Sequence, residues 1–469
     1  MIPSSLTRIA RAIDAELTGP GADDVVVDGP VVIDSRLAEA GSLYVARIGE
    51  HADGHLFAPA AVAAGAVAVL GLRPIDGVPT LVVADVQDAF ARLARFVVDQ
   101  SPDLQIVGIT GSSGKTSTKD LLAQVLATQG PTVAPVGSFN SEVGVPLTVC
   151  RVTAQTKYLV AEMGADGIGH IAYLTKIAPP RIGIVLNVGT AHLAGFGSVE
   201  AIASTKSELV AALPPDGLAI LNADDERVRA MQAVTDARVL LVGTGRDADL
   251  RASDVTLDEL GRPHFLLHGL TDDPAPVPMA LSLAGAHQVG NALAVLAAAR
   301  ELGVETQQAL TALQAAGPVS RWRMEIFDLP GNRRIVNDAY NANPDSMAAA
   351  LRAVAAMAAG PDRRTIAVLG QMLELGDISY AAHEQVGRLA AQVGIDVLVA
   401  VGPGAEPIGT AAQALGVPVR FVPDVDAAHE AVSGMMEDGD VVLFKSSRDS
   451  GLRYLGDRIT AEAGGVVPQ

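Results

Sequence analysis

Cysteine, aromatic residues and positive charge are all scarce in this sequence. One cysteine, Cys150, stands among 469 residues, which excludes a disulfide framework and fits a reducing compartment. Aromatic residues make up only 3% of the chain, so the core must be built from alanine, valine and leucine, as suits tightly packed α/β domains. The formal net charge of −19 argues against nucleic acid as a main partner, because duplex binding needs clustered lysine and arginine.

Long hydrophobic runs are missing as well. The longest uncharged run, Leu56–Leu72, is rich in alanine and glycine and too short to span a membrane, so it predicts a helix followed by a strand. The first residues carry acids and lack a long apolar segment, which is not typical of a signal peptide. We therefore expect a soluble cytoplasmic protein with no membrane span. Cys150 is interpreted as a small core residue, with a nucleophile as the alternative.

Apolar, β-branched runs alternate with helical patterns along the chain, which predicts an α/β protein. Ser-Pro and Gly-Pro pairs interrupt the pattern twice and mark two boundaries. The predicted domains are a smaller N-terminal α/β domain (1–101), a central domain with a mostly parallel P-loop-type sheet (102–317) and a C-terminal Rossmann-like doubly wound sheet (318–469). Within the central domain, residues 250–283 have a more antiparallel pattern.

The strongest motif is T-G-x-x-G-K-T, which lies between a buried-strand pattern and an amphipathic helix. Such an arrangement places backbone N–H groups and a helix N-terminus on one anion. Lys115 would reach the terminal phosphates, and Thr116 would offer its hydroxyl to Mg²⁺. The usual pattern needs a glycine where Ile109 stands, so several kinds of phosphate chemistry stay open. The residues predicted to bind nucleotide here are Thr110, Gly111, Ser112, Ser113, Gly114, Lys115, Thr116 and Ser117.

Polar residues after the next strands could complete the site, since ligands bind at the carboxyl ends of parallel strands. Glu162 ends an apolar run and could hold Mg²⁺ across from Thr116, with a capping or solvated glutamate as the alternative. His192 follows a third strand and could ligate a second metal ion, although a lone histidine is more often an ordinary residue. Taken by itself, Lys206 is predicted to be a surface lysine with Glu208 nearby.

The second half of the chain adds candidates for the nucleotide. His287 and Asn291 lie at i and i+4 on one helix face, where an adenine or its ribose would supply the partners they need. Arg323, or Arg321, could reach phosphate. Asp338 ends a strand, a position that suits a ribose contact.

Together these stretches resemble the Mur ligase family, the ATP-dependent amide-bond ligases of peptidoglycan precursor synthesis. The resemblance covers essentially the whole chain and is carried, in family order, by "TGSSGKTSTKD", "NVGTAHLAGFGS", "STKSEL", "GAHQVGNALA" and "NDAYNANPDSM". The stretches "FNSEVGVPLT", "YNANPDSM" and "VLGQMLELGDIS" with "HEQVG" are most similar to the members that add D-alanyl-D-alanine.

The resemblance implies a two-step reaction. ATP would phosphorylate the terminal carboxylate of UDP-MurNAc-tripeptide, and the amine of D-Ala-D-Ala would attack the acyl phosphate. The implied cofactors are ATP and Mg²⁺, with two ions expected, and a monomer is expected. Because the phosphate loop and Arg323 belong to different domains, we expect an open form without ligand.

The same resemblance implies roles for individual residues. The catalytic residues would be Lys115, Lys206 in carbamylated form, His192 and Asn140. The metal ligands would be Thr116, Glu162, His192 and Lys206. Besides the phosphate loop, ATP would be bound by His287, Asn291, Arg323 and Asp338. The UDP-substrate would contact Ser35, Arg36, Asp53, Gly54 and His55, and D-Ala-D-Ala would contact Tyr340, Asn341, Asn343, Ser447 and Arg448.

Three positions depart from the family pattern. His170 stands where glutamate is usual, and Ser207 and Ser446 stand where glycine is usual. The alternatives are another Mur ligase or a folylpolyglutamate synthase-like ligase and, from a different class, a P-loop kinase or switch NTPase that needs no amine.

Overall fold

The computed structural model describes residues 1–49, 51–190, 193–271, 273–360 and 363–468. Within these ranges every large sheet is covered by helices, and the sheets follow one another along the chain. No helix of the described ranges is long and apolar enough to cross a membrane.

The N-terminal part contains a small, mostly parallel sheet. The strands of this part of the chain are β1 (Ser4–Ser5), β2 (Glu16–Thr18), β3 (Val26–Val27), β4 (Val31–Val32), β5 (Ser42–Val45), β6 (Ala66–Gly71) and β7 (Thr80–Val82). The helices of this part are α1 (Leu6–Ile13), α2 (Ala58–Ala63) and α3 (Val86–Asp99). The order β2-β7-β6-β5-β4 is parallel except for β2, and β1 pairs with β3 separately. The uncharged run that begins at Leu56 forms α2 and then β6, as predicted.

The central part is built on a nine-stranded sheet. Its strands are β8 (Gln105–Thr110), β9 (Thr132–Val133), β10 (Tyr158–Glu162), β11 (Ile182–Val185), β12 (Leu218–Asn222), β13 (Arg238–Gly243), β14 (Leu250–Leu257), β15 (Pro263–His268) and β16 (Val277–Ala280). Its helices are α4 (Lys115–Ala127), α5 (Gly144–Val149), α6 (His170–Ile177), α7 (Leu193–Phe196), α8 (Val199–Ala211), α9 (Glu226–Ala230), α10 (Gln288–Glu301) and α11 (Thr306–Ala315).

The strand order of that sheet is β16-β15-β14-β13-β12-β11-β8-β10-β9, and only the β14–β15 and β15–β16 pairs are antiparallel. Strands β8, β10, β11 and β12 are nearly continuous apolar runs because both of their faces are covered. Their carboxyl ends meet at one edge, where the phosphate loop leaves β8 between its neighbours β10 and β11.

The C-terminal part is a six-stranded doubly wound sheet. Its strands are β17 (Glu325–Leu329), β18 (Arg333–Asn337), β19 (Thr365–Leu369), β20 (Val397–Val401), β21 (Val419–Val422) and β22 (Val441–Lys445), and its helices are α12 (Pro344–Met357), α13 (Ser379–Gln392), α14 (Glu406–Ala414), α15 (Val425–Met435) and α16 (Leu452–Glu462). The order β17-β18-β22-β19-β20-β21 is parallel except at the edge strand β17.

Alanine takes the place of aromatic residues in the cores. Helix α10 packs on the central sheet beside α4, and its residues from Ala292 to Ala299 are all buried, which lets the helix backbone and the sheet approach closely. Another apolar cluster joins α1 and α3 to α5 and α6, so the N-terminal part packs directly on the central one. Cys150 lies within this cluster, where burial raises its pKa to about 12. The core interpretation is confirmed, and a thiol nucleophile at Cys150 is excluded.

The prediction of an α/β protein with two large parallel sheets and a smaller N-terminal one is confirmed. The strands of the three sheets span residues 16–82, 105–280 and 325–445, inside the three expected domains, whose boundaries stay predictions. The antiparallel pattern expected over 250–283 corresponds to β14, β15 and β16.

Candidate active site

The phosphate loop between β8 and α4 takes a shape that its glycines allow. Gly111 and Gly114 have φ angles of 156° and 82°, a region that side chains disfavour. A β-carbon on Gly114 would lie 2.8 Å from Asn291 Oδ1, so the loop also passes close to α10. The loop and the first turn of α4 thus line one cavity, where free N–H groups can bind an anion.

Asn187, which follows β11, anchors this loop. Ser113 N donates to Asn187 Oδ1 at 2.9 Å, and Asn187 Nδ2 donates to the Ser113 carbonyl at 3.2 Å. Ser112 N donates to the Asn187 carbonyl at 3.1 Å. Asn187 is not among the site residues predicted from the sequence, so sequence reasoning missed this role. An amide side chain after the strand beside a glycine-rich loop was the available signal.

Lys115 and Thr116 open α4 beside the loop. Lys115 Nζ donates to the Gly111 carbonyl at 2.6 Å, which keeps the amine over the loop. Burial lowers the pKa of Lys115, while Glu162 raises it and Arg323 lowers it further. The Thr116 hydroxyl shares a hydrogen bond of 2.8 Å with the Ser138 hydroxyl. Both groups line the cavity.

Glu162 ends β10 with only 1% of its surface exposed. Its Oε1 accepts a hydrogen bond of 2.7 Å from Asn140 Nδ2, and its Oε2 is buried with no hydrogen-bond partner in the described part of the chain. A buried carboxylate oxygen without a donor needs a cation, and the Thr116 hydroxyl is a second hard oxygen ligand nearby. The residues therefore fit Mg²⁺, although the described ranges hold no group of three or more histidine, cysteine, aspartate or glutamate residues placed to bind a metal.

Lys206 lies in the third turn of α8 with 7% of its surface exposed. Within the described ranges its amine has no ion pair or hydrogen bond, and burial, with a smaller effect of Lys115, lowers its pKa to about 7. Glu208 instead accepts hydrogen bonds from Gly169 N at 2.7 Å and Ala172 N at 2.9 Å, at the start of α6. The prediction of a surface lysine near Glu208 is wrong. His192 lies outside the described residues.

A cavity of about 680 Å³ separates the central sheet from the C-terminal sheet. The predicted residues that line it are Gly111, Ser112, Ser113, Gly114, Lys115, Thr116, Ser117, Asn140, Glu162, Lys206, His287, Asn291, Arg323, Asp338, Tyr340, Asn341, Asn343, Ser447 and Arg448. Thr110 does not line it, because this last residue of β8 is completely buried in the sheet.

Arg323 connects the two walls of the cavity. Its Nη2 donates to Ser138 Oγ at 3.0 Å and to Thr116 Oγ1 at 3.4 Å, although it comes from the C-terminal part of the chain. Its guanidinium also lies 4.2 Å from the centre of the Tyr340 ring, and Arg448 lies 5.9 Å from the same ring. Two cations stacked near one aromatic ring create a positive region opposite the phosphate loop.

Asp338 follows β18 and is fixed by a buried lysine. Lys445 Nζ donates to Asp338 Oδ2 at 2.6 Å, to the Asp338 carbonyl at 3.2 Å and to the Asn341 carbonyl at 3.1 Å. Met324 N donates to Asp338 Oδ1 at 3.0 Å. His287 faces the same region, and its pKa is lowered by burial, against an opposing effect of Asp338. Sequence reasoning missed Lys445, because only the fold brings it to Asp338.

Family comparisons agree with this geometry. The Mur ligase middle domain matches residues 109–299, the Mur ligase glutamate ligase domain matches 322–448, and the Mur ligase family catalytic domain matches 30–96. The UDP-N-acetylmuramoyl-tripeptide–D-alanyl-D-alanine ligase of Mycobacterium tuberculosis is 43% identical over 100% of both chains. This chain belongs to the Mur ligase family.

Solved structures of Mur ligases share the complete fold. The structure of MurF from Acinetobacter baumannii has a TM-score of 0.85 and 30% identity, and covers 98% of this chain and 99% of its own. The MurF ligase of Thermotoga maritima in complex with ADP has a TM-score of 0.80 and 28% identity, over 93% of this chain and 98% of its own.

The residues predicted for the UDP-substrate of this Mur ligase do not line the cavity. They lie in the N-terminal part, where Asp53 accepts hydrogen bonds from Arg73 Nη2 at 2.7 Å and from His55 Nδ1 at 2.6 Å. His55 Nε2 accepts from Leu72 N at 2.9 Å, so both ring nitrogens of this buried histidine have protein partners. The Arg73 and His55 contacts hold the pKa of Asp53 well below its usual range.

The remaining residues of that set lie beside the first strands. Arg36 is exposed and pairs with Asp34 at 2.6 Å, which lowers the pKa of Asp34 to about 2. Ser35 and Gly54 are both partly exposed in short helical turns near α2. All five residues stay predictions for the UDP-substrate.

On the D-Ala-D-Ala side, several predicted residues also shape the cavity wall. Asn343 caps α12 by accepting from Ser346 N at 2.8 Å. Ser447 Oγ accepts from Leu373 N at 2.9 Å, which ties two loops of the wall together. Asn341 Oδ1 accepts from Ala342 N at 2.9 Å. Tyr340 and Arg448 present a ring and a guanidinium to the cavity, so they are the members of this set best placed for a ligand.

The three departures from the Mur ligase pattern have local explanations. His170 begins α6, and its Nδ1 accepts from Asp166 N at 3.2 Å. Ser207 Oγ donates to the Ser204 carbonyl at 2.6 Å on the exposed side of α8. Ser446 is completely buried and faces Gly370. A β-carbon added to Gly370 would lie only 2.7 Å from the β-carbon of Ser446, so the glycine at position 370 leaves the space that Ser446 fills.

Proposed function

We propose that this chain is an ATP-dependent ligase that joins D-alanyl-D-alanine to UDP-MurNAc-tripeptide in peptidoglycan precursor synthesis, with ADP and phosphate as products. The observation that carries the proposal is the cavity in which Arg323 meets Thr116 and Ser138 across two domains. A phosphate site shared by two domains suits a reaction that brings ATP and a second anion together. The relatives that carry this name match the chain over its full length.

In the first step, a carboxylate oxygen of the tripeptide attacks the γ-phosphorus of ATP, which gives an acyl phosphate and releases ADP. Two anions must approach, so the task of the protein is positioning and neutralisation of charge. Lys115 and the loop N–H groups hold the phosphates from one side, and Arg323 approaches the γ-phosphate from the other. His287 and Asn291 face the adenine, and Asp338 contacts the ribose.

Glu162, Thr116, His192 and Lys206 are the residues that would hold two Mg²⁺ ions. The buried Oε2 of Glu162, without a hydrogen-bond partner in the described ranges, supports this assignment. When bound, Mg²⁺ neutralises the phosphate and carboxylate charges that would otherwise repel each other.

Lys206 would act in carbamylated form. An amine with a pKa of about 7 is largely neutral near physiological pH, and only the neutral amine can react with CO₂. The nitrogen attacks the carbon of CO₂ and loses a proton, which gives an anionic carbamate. That change would replace an amine that has no partner within the described ranges by a carboxylate-like anion that could hold a cation.

In the second step, the amine of D-Ala-D-Ala attacks the carbonyl carbon of the acyl phosphate, phosphate leaves, and the nitrogen gives up a proton. Asn140, whose amide is held by Glu162, lies where it can orient the reacting carboxyl group. Tyr340, Asn341, Asn343, Ser447 and Arg448 would receive D-Ala-D-Ala, and the N-terminal set would hold the UDP end. We expect the enzyme to act as a monomer, and ATP and a UDP-linked substrate fit the cytoplasm.

Domain closure would accompany the reaction. A closed arrangement would bring Arg323 against Thr116, as in their contact of 3.4 Å, and substrates would enter before closure. We expect the free enzyme to be more open in solution. Small-angle scattering should show a smaller radius of gyration with an ATP analogue and the tripeptide substrate than without them, and identical profiles would contradict closure.

An acceptor panel tests the proposed function. Purified enzyme with ATP, Mg²⁺ and UDP-MurNAc-tripeptide should release phosphate with D-Ala-D-Ala and not with meso-diaminopimelate or glutamate. Phosphate release with one of the other amines would indicate another Mur ligase or a folylpolyglutamate synthase-like enzyme. Release that does not depend on any amine would indicate a kinase or NTPase.

A further inference from the structure

Arg323 is flanked by two residues with an unusual backbone conformation. Trp322 has a φ angle of 58° and Met324 has a φ angle of 50°, both in the left-handed region. Bulky residues rarely adopt that region, and they persist there only where surrounding contacts offset the conformational cost. The turn 321–324, which carries Arg323 into the cavity, therefore depends on what holds it.

Asp457 on α16 makes the densest set of contacts around this turn. Its Oδ2 accepts a hydrogen bond of 2.9 Å from Trp322 Nε1. Its Oδ1 accepts from Arg321 Nη2 at 2.9 Å and from Asn337 Nδ2 at 3.1 Å. One carboxylate thus ties two residues of the turn to the end of β18. Asp457 itself does not line the cavity.

Glu325 is a second carboxylate that holds the same turn, because its Oε2 also accepts a hydrogen bond of 3.2 Å from Arg321 Nε. Trp322 N donates to Glu325 Oε2 at 3.0 Å, and Tyr340 N donates to the Trp322 carbonyl at 3.3 Å. These bonds restrain the backbone of the turn. Within the described ranges, only Asp457 accepts a hydrogen bond from the indole N–H of Trp322. With Asp457 in place, the ring also packs edge-on against Tyr454, with centroids 5.7 Å apart.

We propose that Asp457 is a positioning residue for Arg323: it holds the strained turn 321–324 so that the guanidinium reaches the γ-phosphate of ATP. The inference rests on the proposed function, in which Arg323 contacts that phosphate. Asp457 acts only through the turn, and it should matter for ATP and the chemical step rather than for the binding of D-Ala-D-Ala.

The first experiment compares Asp457→Asn with Glu462→Gln in the full-length enzyme. An amide offers one acceptor oxygen where the carboxylate offers two, so Asp457→Asn cannot satisfy all three donors. Glu462 is a matched control, because it lies on the same helix and pairs with Arg458 and His429 away from the turn. We expect kcat/KM for ATP to fall by about 10-fold or more in Asp457→Asn, since small misplacements of a reacting group are costly. The KM for D-Ala-D-Ala should stay within about twofold, and Glu462→Gln should resemble the wild type.

A double-variant cycle with Arg323→Ala separates positioning from general destabilisation. If Asp457 acts through Arg323, adding Asp457→Asn to Arg323→Ala should cause no further loss of kcat/KM for ATP. A full additional loss in the double variant would overturn the proposal. Trp322 is the sole tryptophan, so its emission should change in Asp457→Asn and stay unchanged in Glu462→Gln. Should Asp457→Asn fail to fold, Trp322→Phe removes one of the three donors and should show a smaller loss of the same kind.

The two levels of inference can fail separately. Wild-type enzyme without D-Ala-D-Ala-dependent phosphate release would overturn the proposed function. A wild-type enzyme with that activity, an impaired Arg323→Ala variant and a fully active Asp457→Asn variant would overturn the role of Asp457 alone.

Discussion

The two walls of the cavity each carry a buried lysine, and the two lysines have opposite surroundings. Lys445, on the C-terminal wall, donates to a carboxylate oxygen and two carbonyls. Lys206, on the central wall, has no hydrogen bond or ion pair within the described ranges. Burial lowers the pKa of both amines, but only at Lys445 does a neighbouring carboxylate, Asp338, oppose that effect.

The difference separates a structural lysine from the one that we propose to be reactive. Burying an ammonium group without a partner costs several kcal/mol, so such a group tends to lose its proton instead. A paired lysine stays charged and holds its partners in place. In this molecule the paired lysine fixes Asp338 and the turn after β18, whereas burial lowers the pKa of Lys206, which has no partner within the described ranges, to about 7.

The largest expected effect comes from removing the reactive lysine. Lys206→Ala should lower ligase turnover by about 100-fold or more, because the anionic carbamate and the charge balance around the phosphates are lost together. Short carboxylates such as formate or acetate should restore part of the activity by replacing the carbamate. Phosphate-release assays with and without these acids provide the measurement.

Lys176→Ala is the matched control, since Lys176 is an exposed lysine on neighbouring α6. It should leave turnover unchanged. Two results would contradict a reactive role for Lys206. One is wild-type activity in Lys206→Ala, and the other is a mass spectrum of active, CO₂-equilibrated enzyme that shows no carbamate on Lys206.

The next effect concerns stability and should have opposite signs at the two walls. Lys445→Met leaves Asp338 buried and unpaired, which should lower the free energy of unfolding by about 3 kcal/mol. Lys206→Met removes a buried amine that has no partner, so it should leave stability unchanged or raise it. Urea unfolding of both variants at pH 7.5 measures the contrast. Equal losses in the two variants would mean that Lys206 also has a structural partner.

Local sequence patterns were enough to place the phosphate loop and Glu162 on the central wall. Strand, glycine loop and helix occupy consecutive residues, so spacing alone predicted how Gly114, Lys115 and Thr116 would lie. Glu162 followed from the rule that strand ends share one edge of the sheet. Neither argument needed long-range information, and the α/β fold was predictable for the same reason.

The side-chain contacts that hold the C-terminal wall together could not be predicted from local sequence. The pairing of Lys445 with Asp338 joins residues more than one hundred positions apart, and Asp457 is equally remote from the turn that it holds. Local sequence was also insufficient for Lys206. Polar residues precede and follow it in α8, and its burial depends on how that helix packs. Only the resemblance to Mur ligases indicated its role.

A third buried base, His383, gives the smallest but cleanest test of how partners determine protonation. It lies on α13 with 1% exposure, and its Nε2 accepts a hydrogen bond of 2.9 Å from Met372 N. Its Nδ1 donates to the Ser379 carbonyl at 2.6 Å. These partners define a neutral ring with the proton on Nδ1, and burial lowers the pKa of His383 from its ordinary value of 6.5.

Because the pKa of His383 is lower in the folded protein, the unfolded chain binds more protons between the folded pKa and 6.5. The free energy of unfolding should therefore decrease as the pH falls below 6.5, and this contribution should be complete above that value. His383→Gln should cost about 1 kcal/mol at pH 7.5, through a weakened hydrogen bond to Met372 N, and should remove part of the acid-dependent loss. Exposed His264 provides the control, since His264→Gln should keep that loss, and urea titrations from pH 5 to 8 would record both. An acid-dependent loss that is unchanged in His383→Gln would assign the pH dependence to other groups whose pKa is lower in the folded protein than in the unfolded chain.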